Sequence, residues 1–191
     1  LAAAGSTGSS THPAVRWASR AAPINQAAPL LLLSSRGLPN LPLRELDTAR
    51  GKRTALVDLP RNSGLPTEME ELVRGADVLS QAYRPHGLAE RGLSASDVQR
   101  LSPGIVYAEL RAFGFTGAWS DRRAYDSLTQ TACGVNYLEG LSYQQHLDGK
   151  EGEGGVEPRA LPVQALDHAT GWLMAAAAVA GLARRREDGR G

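Results

Sequence analysis

The chain has little cysteine and no long hydrophobic run. Its single cysteine, Cys133, cannot form an intrachain disulfide, and we interpret it as a buried structural thiol in a reducing compartment. The longest apolar run, from Trp172 to Ala183, is rich in alanine and shorter than the roughly 20 residues of a membrane-spanning helix. These absences exclude an intrachain disulfide framework and lead us to expect no membrane partner.

A surplus of one charge is also lacking. The chain carries 21 Lys and Arg against 20 Asp and Glu, a formal net charge of +1, and 42% of its residues are hydrophobic. Nucleic-acid binding favours a basic surplus and disorder favours a low apolar content, so neither class is indicated. The four histidines show no metal-ligand spacing. We therefore expect a globular protein that binds small molecules or other subunits, with no nucleic acid, metal or permanently bound cofactor.

Several common catalytic motifs are absent as well. The sequence has no GxGxxG after a predicted strand, no GxxxxGK[ST], no GxSxG and no HExxH. The glycines between Gly152 and Gly155 follow no predicted strand, and we place them in a surface loop from Leu141 to Glu157. A short local motif therefore does not identify the chemistry of this chain.

Residues 1–36 differ in composition from the rest of the chain. They are rich in Ala, Ser and Pro, contain no acidic residue and show no sustained hydrophobic period. We interpret them as a disordered or non-homologous tail, and residues 37–191 as the folded part. The arginines and serines of the tail leave an organellar transit peptide as an alternative.

Beyond residue 37 the hydrophobic pattern alternates between strand and helix. Strands are predicted at Arg53–Leu59, Asp77–Tyr83 and Ile105–Leu110. Helices are predicted at Thr67–Gly75, Ser94–Leu101, Tyr125–Tyr137 and Asp167–Arg186. We expect Thr67 to cap the first helix, and Ser94 or Ser96 to cap the second. The alternation predicts an α/β fold with a parallel sheet.

Several segments, in order, resemble the signatures of family III CoA-transferases, the CaiB/BaiF type that includes formyl-CoA and carnitine CoA-transferases. The segments are Arg50-Gly-Lys-Arg53 with Val57-Asp-Leu59, Asp77 to Pro85, Leu101 to Tyr107, Ala112-Phe-Gly-Phe-Thr-Gly117, Arg123-Ala-Tyr-Asp126 and Leu166-Asp-His-Ala-Thr-Gly171. The resemblance implies a partial Rossmann-like parallel sheet with helices on both faces, from a large domain cut short at both ends. It also implies that the full-length protein forms an interlocked homodimer.

Asp167 matches the acyl-accepting aspartate of this family. The resemblance implies that its carboxylate attacks the thioester of an acyl-CoA, and that the enzyme then holds CoA as an aspartyl-CoA thioester. A small carboxylic acid would finally accept the CoA. From the residues alone, an aspartate at the start of a helix fits a simple N-cap equally well.

The resemblance also implies a CoA site. Val57, Tyr83, Arg123 and Tyr125 match positions that line it in the family. Arg84 and Arg91 follow the second predicted strand, at the carboxyl end of a parallel sheet, where we expect them to hold a diphosphate. Each of these residues also fits an ordinary core or surface role, and we interpret Asp126 as a structural cap that bonds the backbone at a helix start.

The sequence departs from the family at three positions of this site. Ala82 replaces an asparagine, Pro60 replaces a lysine, and Arg91 is displaced from its usual place in the pattern. Because these positions belong to the CoA site of the family, we expect the departures to alter the affinity for CoA.

Two other functions remain open. A racemase or epimerase of 2-methylacyl-CoA uses the same fold, but that subgroup has histidine where this chain has Tyr125, and a phenol ordinarily ionises too high, near pH 10, to act as a base at neutral pH. An inactive fragment without catalytic activity is the other alternative. We expect a cytoplasmic location, or a mitochondrial one if residues 1–36 are a transit peptide.

Overall fold

The structure is a computed structural model, and it describes residues 2–5, 30–35, 49–61, 63–84, 86–148 and 155–188. The chain forms two compact units. The sheet unit comprises Leu1–Arg111 together with Ala176–Gly191, and the helical unit comprises Ala112–Ala175.

The sheet unit is built on a five-stranded sheet with the order β3-β2-β1-β4-β5. Its strands are β1 (Ala2–Gly5), β2 (Leu30–Ser34), β3 (Arg53–Leu56), β4 (Ala76–Gln81) and β5 (Val106–Glu109). β2 and β3 are parallel, as are β4 and β5, whereas β1 is antiparallel to both of its neighbours. The α/β fold with parallel strands is confirmed, and β1, which was not among the predicted strands, adds an antiparallel strand to the sheet. The four other strands all run in one direction, so their carboxyl ends lie at one edge.

Two of these strands lie where we predicted a tail. β2 is a run of four leucines and a serine in which Leu33 is only 4% exposed. Such a continuous apolar run lacks the apolar-polar alternation by which a half-buried strand is recognised from sequence. Apart from Ser35, the remaining residues of the predicted tail lie outside the described part of the chain, and the boundary at residue 37 stays a prediction.

The helices of the sheet unit begin with α1 (Thr67–Arg74), followed by a 3-10 turn (Ala89–Arg91) and α2 (Ala95–Leu101). Thr67 does not cap α1, because Pro66 occupies the cap position and its carbonyl accepts the Met69 and Glu70 N–H groups at 2.9 and 3.0 Å. Proline holds this extended entry without a side-chain cap bond.

Ser94 caps α2, as predicted. Its hydroxyl accepts the Asp97 N–H at 3.2 Å, and the Asp97 carboxylate accepts the Ser94 N–H at 3.2 Å, which completes a capping box. The Ser94 hydroxyl also bonds the Asp97 carboxylate and thereby lowers the pKa of that carboxyl below its ordinary value.

One apolar core holds the sheet unit together. α1, β2, β4, α2 and the segments beside them contribute its buried side chains: Leu33, Met69, Leu72, Val73, Ala76, Leu79, Leu88, Leu93, Val98 and Ile105. All three predicted strands end earlier than expected, β3 at Leu56, β4 at Gln81 and β5 at Glu109. The residues just after these ends are therefore loop residues at the carboxyl edge of the sheet.

The helical unit contains α3 (Asp126–Ala132), α4 (Val135–Asp148) and the start of α5 (Ala165–Asp188). The single helix predicted over Tyr125–Tyr137 is broken at Gly134, whose φ of 84° is a left-handed conformation that ends α3. α4 then continues to Asp148, so the predicted loop is helical at its start, and residues 149–154 of that loop lie outside the described residues.

The expectation that Cys133 is a buried structural thiol is wrong. The residue lies at the end of α3, where its N–H bonds the Thr129 carbonyl at 3.0 Å, and it is exposed rather than buried. A helix end at the surface leaves the thiol in contact with solvent, so it does not serve as a core residue.

The long helix α5 begins at Ala165, two residues before the predicted start, and its last part belongs to the sheet unit. There, Arg185 bonds Asp77 at 2.7 Å and the Gly104 carbonyl at 2.9 Å, which ties the end of the helix to the starts of β4 and β5. Over the described ranges, no helix is both long and apolar enough to cross a bilayer. The same residues contain no group of three or more His, Cys, Asp or Glu that could hold a metal ion.

Candidate active site

A cavity of about 490 Å³ lies at the carboxyl ends of β2, β3 and β4. Parallel strands that end at one edge leave a crevice between the loops that follow them, and ligands of open α/β sheets bind there. The lining residues come from just these places: Leu33, Ser34 and Ser35 at the end of β2, Val57, Leu59 and Arg61 after β3, Tyr83, Arg84, Gly87, Leu88 and Arg91 after β4, and Met69 from α1.

Four residues predicted from the sequence line this cavity together: Val57, Tyr83, Arg84 and Arg91. Val57 is half-buried, packs against the core and donates its N–H to the Ser34 carbonyl at 2.8 Å. Its bond to Ser34 extends the pairing of β2 and β3 by one residue, which fixes one wall of the cavity.

Tyr83 is held by a buried polar network at the end of β4. Gln81, 6% exposed, accepts the Tyr83 N–H at 2.8 Å and faces the Tyr107 hydroxyl at 3.3 Å. The Tyr107 hydroxyl in turn donates to the Leu93 carbonyl at 3.2 Å. Because the Gln81 amide and the Tyr107 hydroxyl of this network are both bonded, the turn from β4 into the cavity loop has one preferred conformation.

Arg91 joins two walls of the cavity. Its Nε donates to the Leu59 carbonyl at 2.8 Å, and its Nη1 donates to the Gly87 carbonyl. The guanidinium therefore links the loop after β3 to the loop after β4 while it contributes a positive charge to the cavity. Arg84, in contrast, is exposed at the cavity.

The cavity has a positive lining. Arg61, Arg84 and Arg91 contribute three guanidinium groups, and among the described residues that line it none is acidic. Arg61 lies 3.6 Å from Glu90 in an exposed ion pair, which neutralises part of this charge. Sequence reasoning missed Arg61, although its position shortly after a predicted strand is the signal that would have found it. A concave, positive site of this kind attracts phosphate groups.

The helical unit holds the remaining predicted residues. Asp167 lies in the first turn of α5 and is exposed, two residues inside the helix rather than at its cap position. Its backbone N–H donates to the Asp126 carboxylate at 2.8 Å. Asp126 does bond the backbone at a helix start, but it does so at a helix 41 residues further along the chain.

Tyr125 and Arg123 lie next to Asp126 and are exposed, Tyr125 by 74%. Tyr125 precedes α3, and its carbonyl accepts the Thr129 N–H at 3.0 Å. The Asp126 bond to Asp167 therefore brings the start of α3, with Tyr125, to the first turn of α5. The structure thus assembles the seven predicted residues as two groups, four around the cavity of the sheet unit and three in the helical unit.

The fold is that of an α/β protein with a positively charged crevice at the carboxyl ends of its parallel strands, the place where such proteins bind their ligands. The sequence model of CoA-transferase family III matches residues 44–191. The chain belongs to that family.

Curated relatives and solved structures carry related names. The chain is 29% identical over 168 residues to a probable fatty acyl-CoA transferase of Mycobacterium tuberculosis, covering 88% of this chain and 39% of that protein. It is 30% identical over 146 residues to the succinyl-CoA:glutarate CoA-transferase of Mus musculus, covering 76% of this chain and 30% of that protein. A crystal structure of the mycobacterial protein superposes with a TM-score of 0.65 at 25% identity, covering 84% of this chain and 42% of that one. The chain thus spans well under half the length of these relatives.

Proposed function

We propose that this chain is part of a CoA-transferase that moves CoA from an acyl-CoA donor to a small carboxylic acid, with Asp167 as the covalent acceptor. The observation that carries the proposal is the cavity: Val57 and Tyr83, to which the family resemblance assigns CoA contacts, line one positive crevice with Arg84 and Arg91, which their place after a strand assigns to a diphosphate. Relatives named as CoA-transferases support the same reaction class.

In this proposal the sheet unit binds CoA. Arg84 and Arg91 hold the diphosphate, since guanidinium groups bond phosphate oxygens in pairs. Tyr83 and Val57 supply apolar surface beside the adenine, and both already pack on the core, so they lose little freedom when the ligand binds. In the helical unit, the resemblance assigns to Arg123 a contact with a CoA phosphate and to Tyr125 a place beside the thioester pocket.

The reaction balances without an added proton or oxidant. The Asp167 carboxylate attacks the thioester carbonyl, the carbon–sulfur bond breaks, and CoA thiolate leaves behind a mixed anhydride. The thiolate attacks the aspartyl carbonyl of this anhydride, which forms the aspartyl-CoA thioester and releases the donor acid as a carboxylate. The acceptor carboxylate repeats these two steps in reverse order, and Asp167 is regenerated.

The position of Asp167 suits this role. Free N–H groups and the positive end of the macrodipole in the first turn of a helix stabilise a carboxylate there. The same groups stabilise the oxyanion that forms when the thiolate attacks the aspartyl carbonyl. Because an anhydride and a thioester are similarly activated, no intermediate becomes a trap.

Hydroxylamine trapping tests the proposal. Incubation with succinyl-CoA and hydroxylamine is expected to convert Asp167 to its hydroxamate, detected by mass spectrometry of the peptide that contains it. Asp167→Asn should give no adduct, whereas Asp121→Asn, at an exposed aspartate of the same helical unit, should react as the parent does. The racemase alternative makes a different prediction. Asp167 would stay unmodified, and the proton next to the thioester carbonyl would exchange in deuterated water. That pair of results would favour a racemase over a transferase.

A further inference from the structure

We infer that Asp126 is a positioning residue for the reaction at Asp167: its buried carboxylate holds the backbone of the nucleophile through the Asp167 N–H. The inference rests on the proposed function. It assigns Asp126 a part in the reaction, where the sequence alone indicates only a helix cap.

The contact is buried and short. Asp126 is 4% exposed, and its Oδ2 accepts the Asp167 N–H at 2.8 Å. A carboxylate in this position satisfies one of the four N–H groups that the start of α5 leaves without a helical partner. It therefore fixes the first turn of α5 at the residue whose side chain has to meet the thioester.

Gln130, one turn further along α3, holds Asp126 in place. Its Nε2 donates to the other carboxylate oxygen of Asp126 and also to the Val163 carbonyl at 3.2 Å. Its Oε1 accepts the Leu161 N–H at 3.3 Å. Gln130 is 2% exposed, so the orientation of its amide is set by three bonds and is not free to adjust.

This arrangement requires a carboxylate at position 126. Both neighbours of its oxygens, the Asp167 N–H and the Gln130 amide, are donors. An asparagine of nearly the same shape would turn its own NH₂ group against one of these donors in either orientation. If Gln130 rotated its amide to compensate, its NH₂ would face the Leu161 N–H instead. A substitution that keeps the volume therefore still breaks the contact.

The consequence for the reaction is geometric. Asp126 does not line the cavity in the sheet unit, so its loss should not weaken the affinity for acyl-CoA. It should change how often the Asp167 carboxylate meets the thioester carbonyl in a reactive position, and a displacement of about 1 Å can cost on the order of 10²-fold in rate. We therefore expect an effect on kcat rather than on KM.

Asp126→Asn in the full chain is the test. The rate of hydroxamate formation at Asp167 should fall about tenfold or more, with KM for succinyl-CoA within about twofold of the parent value. The Asp167 amide proton should also exchange faster with solvent, measured by NMR. Ser127→Ala, at the exposed neighbouring position on α3, should change neither quantity.

Trapping at the parent rate in Asp126→Asn would overturn the inference. If circular dichroism shows that this variant does not fold, Gln130→Met is used instead, because it removes the donor that holds Asp126. An unchanged trapping rate in Gln130→Met would likewise overturn the positioning role of Asp126. If the parent chain itself forms no adduct, the proposed function fails and the inference fails with it. Faster amide exchange in Asp126→Asn would then show that the contact exists and that the assigned chemistry is at fault.

Discussion

Gln81 and Tyr107 are two polar side chains at the carboxyl edge of the sheet, and together they determine the course of the loop after β4. Gln81 bonds the Tyr83 backbone, and Tyr107 bonds both Gln81 and the Leu93 carbonyl. A buried polar group costs stability unless it is bonded, so this network favours the backbone conformation in which the Tyr83 N–H meets Gln81.

Tyr107 also makes the free energy of unfolding depend on pH in the alkaline range. Burial raises the pKa of its hydroxyl above the ordinary 10.0, because the charged form loses solvation. Above pH 10 the unfolded chain therefore releases this proton before the folded chain does, and the free energy of unfolding falls as pH rises further.

Tyr107→Phe tests both effects. At neutral pH the free energy of unfolding should fall by about 1 kcal/mol, since the Leu93 carbonyl and the Gln81 amide lose a partner. In urea unfolding at a series of pH values, the variant should also show a shallower decline above pH 10 than the parent. Tyr137→Phe, at a side chain 52% exposed, is the matched control. If the free energy of unfolding declined equally steeply above pH 10 in the parent and in Tyr107→Phe, the raised pKa of Tyr107 would be contradicted.

At the residue scale, sequence reasoning found what a motif or a strand end marks and missed what a tertiary contact makes. Tyr83, Arg84 and Arg91 follow a recognisable strand, and they do line the cavity. The contact of Asp126 with Asp167 spans 41 residues, and no local pattern carries it. Gln81 looks like an interruption of an apolar strand until its two side-chain partners, the Tyr83 N–H and the Tyr107 hydroxyl, are known.

At the scale of elements, the packing of α5 on the sheet depends on a glycine. A Cβ at Gly181 would lie 2.7 Å from Cγ1 and 3.1 Å from Cγ2 of Val106. Gly171, ten residues earlier in the same helix, has nothing within 4 Å of such a Cβ. The two glycines therefore differ in surroundings while they share the same helix.

Alanine at these two positions should change stability in opposite directions. Gly181→Ala is expected to lower the free energy of unfolding by about 1–3 kcal/mol, because the added methyl forces α5 away from β5. Gly171→Ala should raise it by about 0.5–1 kcal/mol, because alanine favours a helix interior. Urea unfolding followed by circular dichroism measures both. A stabilised Gly181→Ala variant would mean that the helix does not approach Val106 this closely.

Elements with a clear period or cap were predictable, and their exact ends were not. The capping box at Ser94 and Asp97 was readable as a local pattern, and α2 begins there. β2, in contrast, has no alternation, and the backbone of Gly134 rather than a change of composition separates α3 from α4. Alternation and caps are properties of neighbouring residues, whereas the place of β2 in the sheet depends on its pairing with β1 and β3.

At the scale of the whole molecule, the residues predicted for the site fall in both compact units. The cavity belongs to the sheet unit, and Asp167 with its buried partner Asp126 belongs to the helical unit. Ligand binding to the cavity is expected to stabilise the folded sheet unit through mass action.

CoA should raise the melting temperature of the chain. At 100 times its Kd, a ligand that binds only the folded state adds about 2.7 kcal/mol, which for a chain of this size corresponds to roughly 5–10 °C. Arg84→Ala, which removes an exposed charge of the cavity, should give a smaller shift at the same CoA concentration. Arg100→Ala, at an exposed arginine paired with Asp97 on α2, should shift as the parent does. Identical melting-temperature shifts for all three proteins would show that CoA does not bind in the cavity.

The sequence by itself determined the α/β class, most of the helices and strands, and the family, because each of these is written in local patterns or in ordered motifs. The residues assigned to CoA and to the acyl group stay predictions from those motifs and strand ends. Only the tertiary structure decided that β1 and β2 complete the sheet, that four of the assigned residues share one crevice, and that Asp126 bonds the backbone of Asp167. Those facts depend on contacts between distant parts of the chain, which exist only after the strands have paired and the helices have packed.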